Sequence, residues 1–218
     1  MEKLIEMDEA VDKIEDGMTV MIGGFLNCGT PERIIDKLVE KEVKDLCLIA
    51  NDTSFPDKGI GKLIVNKQIC KAVVSHIGTN KESGRQMSAK ETEFVLVPQG
   101  TLAEQIRAGG MGLGGILTKT GVGTEVEKGK KKLTIKGEDY ILEEPIRADI
   151  ALLYGSVADE KGNVMYRGTT RNFNPIMAMA ADKIIVEARE IVEAGSIDPH
   201  LIMTPGALVD YIVRGDEA

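Results

Sequence analysis

Met21–Glu32 reads MIGGFLNCGTPE. A short β-like run, Met18–Ile22, ends here in two glycines. Phe25, a short loop, Gly29 and Thr30 follow, and Pro31 then opens a helix. Thr30 suits the N-cap of that helix and Pro31 its first turn. Ile34, Ile35, Leu38 and Val39 give the helix one apolar face. Glycine at a strand end costs conformational entropy, so a pair of them calls for a physical reason, such as close approach of another group to bare backbone.

The same alternation of strand and helix extends outward. Upstream, Asp8 is placed to cap a helix running to Asp16, with Gly17 as its stop. Downstream, Asp45–Asn51, Lys71–His76 and Glu93–Pro98 are apolar strands, with a short helix within GIGKLIVNK. TLAEQIRAGG follows as a helix, capped by Thr101 and stopped by Gly109. Continuous apolar strands separated by helices predict an α/β fold: an open, mostly parallel sheet with helices on both faces. The second half adds a small hairpin, Lys132–Leu142, turning at Lys136-Gly137. It then has a buried strand at Ala148–Ser156, a helix at Asn174–Ala181 and a strand at Asp182–Ala188. No linker or repeat interrupts residues 1–218, which are expected to form a single domain.

Composition narrows the function. Apolar residues make up 43% of the chain and aromatic ones 4%, so the core is aliphatic. The formal net charge of −8 disfavours nucleic acid, whose phosphates require clustered Lys and Arg. Cys28, Cys47 and Cys70 are odd in number and lack CxxC spacing, which argues for reduced thiols in a cytoplasmic protein. The charged N-terminus does not read as a signal peptide, so none is expected, and no apolar run approaches the about 18 residues of a membrane span. Two histidines, His76 and His200, supply no convincing metal-ligand set, so no metal site is expected.

Gly110–Gly115 fits GxGxxG literally, but it follows a helix and precedes a strand-like segment, the wrong context for a dinucleotide fingerprint. Seven of the fifteen residues from Gly109 to Gly123 are glycine, dense enough to suggest either a tightly turning connection or a backbone surface that a ligand approaches; the second is favoured.

Asp16, Gly17, Gly23, Gly24, Phe25, Gly29 and Pro31 together resemble the first signature of the family I coenzyme A transferases. Val97–Thr124 and Ala148–Pro175 resemble two later segments of that family, in the same order. One departure bears on the role. The family's nucleophile is a Glu in a Ser-Glu-Asn-Gly motif on the β subunit, or in the C-terminal half of fused enzymes, and that motif is absent here. The nearest lookalike, Lys81–Gly84, carries Glu82 but lacks the Asn and the apolar flanks, and is read as a solvated loop.

The chain therefore resembles an α subunit that needs a β subunit carrying the catalytic Glu, in an assembly expected to be α2β2. The resemblance implies transfer of coenzyme A between short-chain acids such as acetate, butyrate and acetoacetate. CoA thioester is then a substrate, no cofactor is permanently bound, and the route is ping-pong through a glutamyl-CoA thioester. Succinyl-CoA:3-oxoacid or 3-oxoadipate transfer is the neighbouring alternative, and a non-catalytic Rossmann-like ligand-binding domain is one from another class.

On this resemblance Gly23, Gly24, Phe25 and Gly29 form the acyl and CoA site, and Gly121 and Gly123 belong to a channel for the pantetheine arm. The helix opened by Pro31 offers its N-terminus to the substrate carboxylate. Gln99 follows a strand end, where open α/β sheets place ligands. Its amide is the candidate oxyanion donor, with a simple turn residue as the alternative.

Overall fold

The computed structural model describes residues 3–215. The first half runs α1 (Met7–Val11), β1 (Thr19–Ile22), α2 (Glu32–Lys41), β2 (Leu46–Ile49), α3 (Ile60–Val65), β3 (Ile69–Val74), α4 (Lys81–Ala89), β4 (Glu93–Leu96) and α5 (Gln99–Gly110). Next come β5 (Ile116–Thr118), β6 (Lys132–Ile135) and β7 (Glu138–Glu143), which pair antiparallel as a small sheet of their own. The remainder is β8 (Ala148–Gly155), β9 (Val157–Asp159), β10 (Val164–Met165), α6 (Asn174–Met177), β11 (Ala181–Ala188), β12 (Ile191–Val192) and β13 (Tyr211–Arg214).

Seven strands make the main sheet, in the order β13-β11-β8-β1-β2-β3-β4, and every neighbouring pair is parallel. Alternation along each strand sends side chains to opposite faces. On β1, Val20 and Ile22 join the core under α1, α2 and α3, while Met21 joins the core under α5 and α6. Ile150 and Leu152 on β8 face the first core, and Ala151 and Leu153 the second. Both faces are covered, which is why the central strands are apolar throughout. β1 starts the first half and β8 the second, and the two are neighbours, so successive strands depart in opposite directions from that pair. Ligands of open α/β sheets bind at such a switch point, outside the carboxyl ends of the strands.

Several elements differ from the sequence expectation for local reasons. α1 ends at Val11 rather than Asp16, and Glu6, not Asp8, holds its cap position. Asp16 instead accepts the Lys44 N–H, and Gly17, at φ +79°, donates to the Lys44 carbonyl to steer the chain into β1. α5 begins at Gln99 and runs through Gly109, so Thr101 is a buried helix residue and not a cap. The hydrogen bond from Leu102 N to the Pro98 carbonyl (2.9 Å) closes the first turn. A Cβ on Gly109 would lie 2.0 Å from the Ile146 carbonyl oxygen, so this glycine serves a close packing contact rather than a helix stop. α6 is short, ending at Met177. α4 replaces an expected loop: Asn80 caps it by accepting the Glu82 N–H, and its buried residues, Ser83 and Gln86, are polar. β9, β10 and β12 form a second small sheet of two- and three-residue strands. The hairpin turns where expected, with Lys136 and Gly137 at φ +54° and +80°, the pair of positive angles a tight two-residue turn favours.

The start of α2 is held from outside the helix. Pro31 occupies the cap position and Thr30 makes no capping bond. Glu187, near the end of β11 and 4% exposed, fills that role: its Oε2 accepts the Ile34 N–H at 2.9 Å, and its carboxylate also takes the Arg33 N–H. Burial pushes the Glu187 carboxyl up to about 7, against the pull of those two donors. A folded-state pKa above the unfolded value favours the protonated native form. The resulting stabilisation is full below about 4.5 and is lost as pH rises to about 7. Glu187→Gln removes this dependence. Urea unfolding from pH 4.5 to 7.5 is expected to show the variant gaining on the wild type by about 3 kcal/mol across that window. A difference that does not change with pH refutes the assignment.

Candidate functional site

Four strand ends build the site. β1 delivers Gly23 and Gly24, β2 delivers Asn51 and Asp52, β3 delivers Ser75, and β4 leads through Pro98 into Gln99. After Gly24 the chain makes a narrow loop, with Phe25 and Cys28 exchanging backbone hydrogen bonds (3.1 and 3.0 Å) and Leu26 at φ +55°. The Phe25 side chain is 45% exposed at this loop.

The reason for the glycines is internal. A Cβ on Gly23 would sit 1.9 Å from Asn174 Oδ1, and one on Gly24 would sit 2.1 Å from Thr30 Oγ1. Gly24 also has φ +128°, and Gly29, at φ +68°, lies against the Thr170 backbone. The groups that approach this bare backbone are therefore the chain's own. The Asn172 side chain accepts the Gly24 N–H (3.1 Å) and donates to the Cys28 carbonyl (2.9 Å). Asn174 accepts the Tyr154 N–H and donates to the carbonyls of Gly29 and Thr170 (3.0, 3.0 and 2.9 Å). Gly23 N–H goes to the Leu152 carbonyl (2.9 Å) and Phe25 N–H to that of Cys28. All three N–H groups of Gly23–Phe25 are thus engaged. The helix N-terminus expected to receive a substrate carboxylate is likewise occupied, by Glu187.

A second network joins this loop to Gln99. Asp52, 2% exposed, accepts the Leu26 N–H (2.8 Å), the Ser54 N–H (2.7 Å) and the Asn51 side-chain amide (2.6 Å). Asn51 Oδ1 in turn accepts from Gln99 Nε2 at 2.7 Å and from Ser75 Oγ at 3.3 Å. Gln99 is exposed, stands at the first position of α5, and keeps one amide hydrogen beyond the one given to Asn51. Neither Asn51 nor Asp52 stood out in the sequence. The available signal was a polar Asn-Asp-Thr-Ser run directly after an apolar strand.

Gly121 and Gly123 lie apart from this network. They belong to the turn after β5 at φ +93° and +77°, and the Gly123 N–H is bound by Glu127. Their left-handed geometry accounts for glycine there without a ligand. A cavity of about 460 Å³ between α5 and β5 is lined by Gly100, Thr101, Leu117 and Thr118 but by neither glycine. Glu82 lies on α4, where Arg85 grips it and holds its carboxyl down to about 2. Thr30, Gly29, Asn27, Tyr154 and Glu187 border a cavity of about 290 Å³ beside the glycine loop.

The sequence model for the coenzyme A transferase family matches residues 4–215. The acetoacetyl-CoA:acetate/butyrate CoA transferase alpha subunit of Clostridium acetobutylicum is 54% identical over 97% of each chain. The acetate CoA-transferase subunit alpha of Escherichia coli K12 is 53% identical over 99% of this chain and 98% of its own. Among solved structures, an acyl-CoA transferase from E. coli O157:H7, determined as a thioester complex with CoA, superposes with a TM-score of 0.88 at 21% identity. It covers 98% of this chain, which spans 50% of that longer one. No helix among the described residues is long and apolar enough to cross a membrane. The match along nearly the whole chain, with relatives sharing more than half of its residues, places it in the coenzyme A transferase family.

Proposed function

We propose that this chain is the α subunit of a short-chain acyl-CoA:carboxylate CoA-transferase, exchanging coenzyme A among acetate, butyrate and acetoacetate in the cytoplasm. It works with a β subunit in an α2β2 assembly. The observation that carries this reading is the 54% identity, end to end, with a subunit named for those acids. The geometry supports the division of labour. Among the described residues at the strand ends, the carboxylates are all committed: Asp52 to three donors, Glu187 to the start of α2, and Glu32 to Lys62 and the Gly59 N–H. None of them is presented as a nucleophile, which supports an attacking Glu on the partner.

In this scheme the partner's carboxylate attacks the thioester carbonyl and the tetrahedral intermediate carries an oxyanion. With the N–H groups of Gly23, Gly24 and Phe25 engaged, this chain's donor is the second amide hydrogen of Gln99. Asn51 fixes the orientation of that amide, and Asp52 fixes Asn51 while holding Leu26. The glycine loop is a wall set at a defined distance from Gln99 by that chain of hydrogen bonds. Phe25, exposed on the loop, is the apolar surface offered to the acyl chain. CoA enters as substrate.

Two measurements test the reading. The chain assayed alone is expected to give no thioester exchange, and mixing with the β subunit to restore it. In the restored complex Glu82→Gln leaves kcat unchanged. Turnover by the isolated chain that Glu82→Gln abolishes would place the nucleophile here instead.

For Gln99→Ala, the expected signature is kcat and kcat/KM falling together by roughly 10²- to 10³-fold with KM little changed, the loss of one oxyanion donor. Asn51→Ala acts through the same amide, so adding it to Gln99→Ala costs much less than it does alone. A pure KM effect in Gln99→Ala, or fully additive losses in the pair, removes the oxyanion role.

A further inference from the structure

Two of the chain's three cysteines meet at an irregularity in the main sheet. β2 and β3 pair in parallel, with Leu46 opposite Ile69 and Cys47 opposite Lys71. β2 therefore advances by one residue where β3 advances by two, and Cys70 is the residue that the bulge inserts beside Cys47. Its thiol turns toward β2. Cys70 Sγ donates to the carbonyls of Asp45 (3.1 Å) and Leu46 (3.5 Å), the second belonging to the residue directly before Cys47. Neighbouring strands lie about 4.8 Å apart, and one residue of offset adds at most about 3.3 Å along the strand, which puts the two Cα atoms about 5–6 Å apart. A disulfide spans Cα separations of about 4.4–6.8 Å.

The two thiols differ in access. Cys70 is exposed and Cys47 is half-buried. Burial pushes the Cys47 thiol up, with Cys70 adding to the rise and Lys71 and the Thr19 side chain opposing it. The Lys71 ammonium, paired with Glu93 at 3.0 Å, interacts with both sulfurs and so eases the loss of a thiol proton during reaction. The pair stands at the amino ends of β2 and β3, whereas Asn51 and Ser75 follow their carboxyl ends. Cys28, the third cysteine, is in the glycine loop against Thr169. We propose that Cys47 and Cys70 are a reversible dithiol–disulfide pair that hydrogen peroxide oxidises. The Cys70 thiolate attacks one peroxide oxygen, the O–O bond breaks, hydroxide leaves, and a sulfenic acid forms on Cys70. The Cys47 thiol then attacks that sulfur; its proton departs with the sulfenic hydroxyl as water and the S–S bond forms. Two thiols are oxidised by two electrons in all, and the peroxide is reduced to two waters. The bond joins β2 to β3 at an exposed bulge, open to exchange with an external thiol that restores both cysteines.

The test is peptide mapping of the full chain, reduced, desalted, treated with hydrogen peroxide, quenched with catalase, alkylated and digested without reductant. The expected product is a pair of peptides linked through Cys47 and Cys70 of one chain, two hydrogens lighter than the separate peptides and released by dithiothreitol. In Cys47→Ser, Cys70 is expected to stop at the sulfenic acid and to be trapped by dimedone. In Cys70→Ser, Cys47 stays open to alkylation under the same treatment. Three results each overturn the proposal in the wild-type chain: Cys70 passing on to the sulfinic acid while Cys47 remains alkylatable, links formed only between separate chains, and both cysteines recovered as free thiols.

Discussion

The contact on which the site depends is a side-chain amide lying against a residue that has no side chain. Asn174 Oδ1 occupies the space where Gly23 would carry a Cβ, and the same amide ties Tyr154 N–H on β8 to the carbonyls of Gly29 and Thr170. β1 and β8 are adjacent in the sheet but 126 or more residues apart in sequence, and each opens one half of the fold. Asn174, together with Asn172 on the Gly24 N–H, locks the first half's loop to the second half's strands. A methyl group at position 23 would displace the amide and leave buried donors and acceptors unpaired, at a cost of about 1–3 kcal/mol for each group. The paired glycines are thus a requirement of long-range assembly, and the surface they present follows from it.

That dependence explains what was legible in the sequence and what was not. The parallel sheet was legible because its strands are continuously apolar and its turns carry glycine, proline and capping residues; the expected parallel sheet and the hairpin turn at Lys136-Gly137 are those observed. The resemblance in three blocks carried the family. α4 escaped because it buries Ser83 and Gln86 rather than an apolar stripe, and β9, β10 and β12 are too short for a period of two to register. The capping of α2 was misassigned to Thr30 because capping rules look along the chain, whereas Glu187 reaches Ile34 from a strand 153 residues away. Asn51 and Asp52 were invisible for a related reason: nothing local distinguishes a polar turn from a network that reaches Leu26 and Gln99.

Buried polar networks of this kind carry specific consequences. Each member is satisfied only by the others, so displacing one exposes a chain of unpaired groups. Asp52 has all three of its donors from fixed positions, two of them backbone N–H groups, which gives Asn51 a single favourable orientation. Asn51 in turn offers its oxygen to Gln99 and Ser75. An exposed glutamine at a helix start would otherwise sample several rotamers, losing entropy on each encounter with a ligand. Here one hydrogen bond removes part of that freedom in advance and leaves a second N–H on an exposed side chain.

The same accounting separates the roles the glycine loop can take from those it cannot. A backbone N–H stabilises an oxyanion only if it is free to donate, and those of Gly23, Gly24 and Phe25 are given to Leu152, Asn172 and Cys28. For the loop itself to supply a donor, one of these bonds must break, and the Gly24 bond can break only by moving Asn172, which also holds Cys28 and Thr169. Such a movement would loosen the loop just when catalysis needs it fixed. A side-chain amide has two hydrogens, so Gln99 can remain anchored through one and donate through the other. On the proposed reading the loop is a rigid wall and Gln99 the donor beside it, an arrangement in which no native hydrogen bond has to be given up as charge develops.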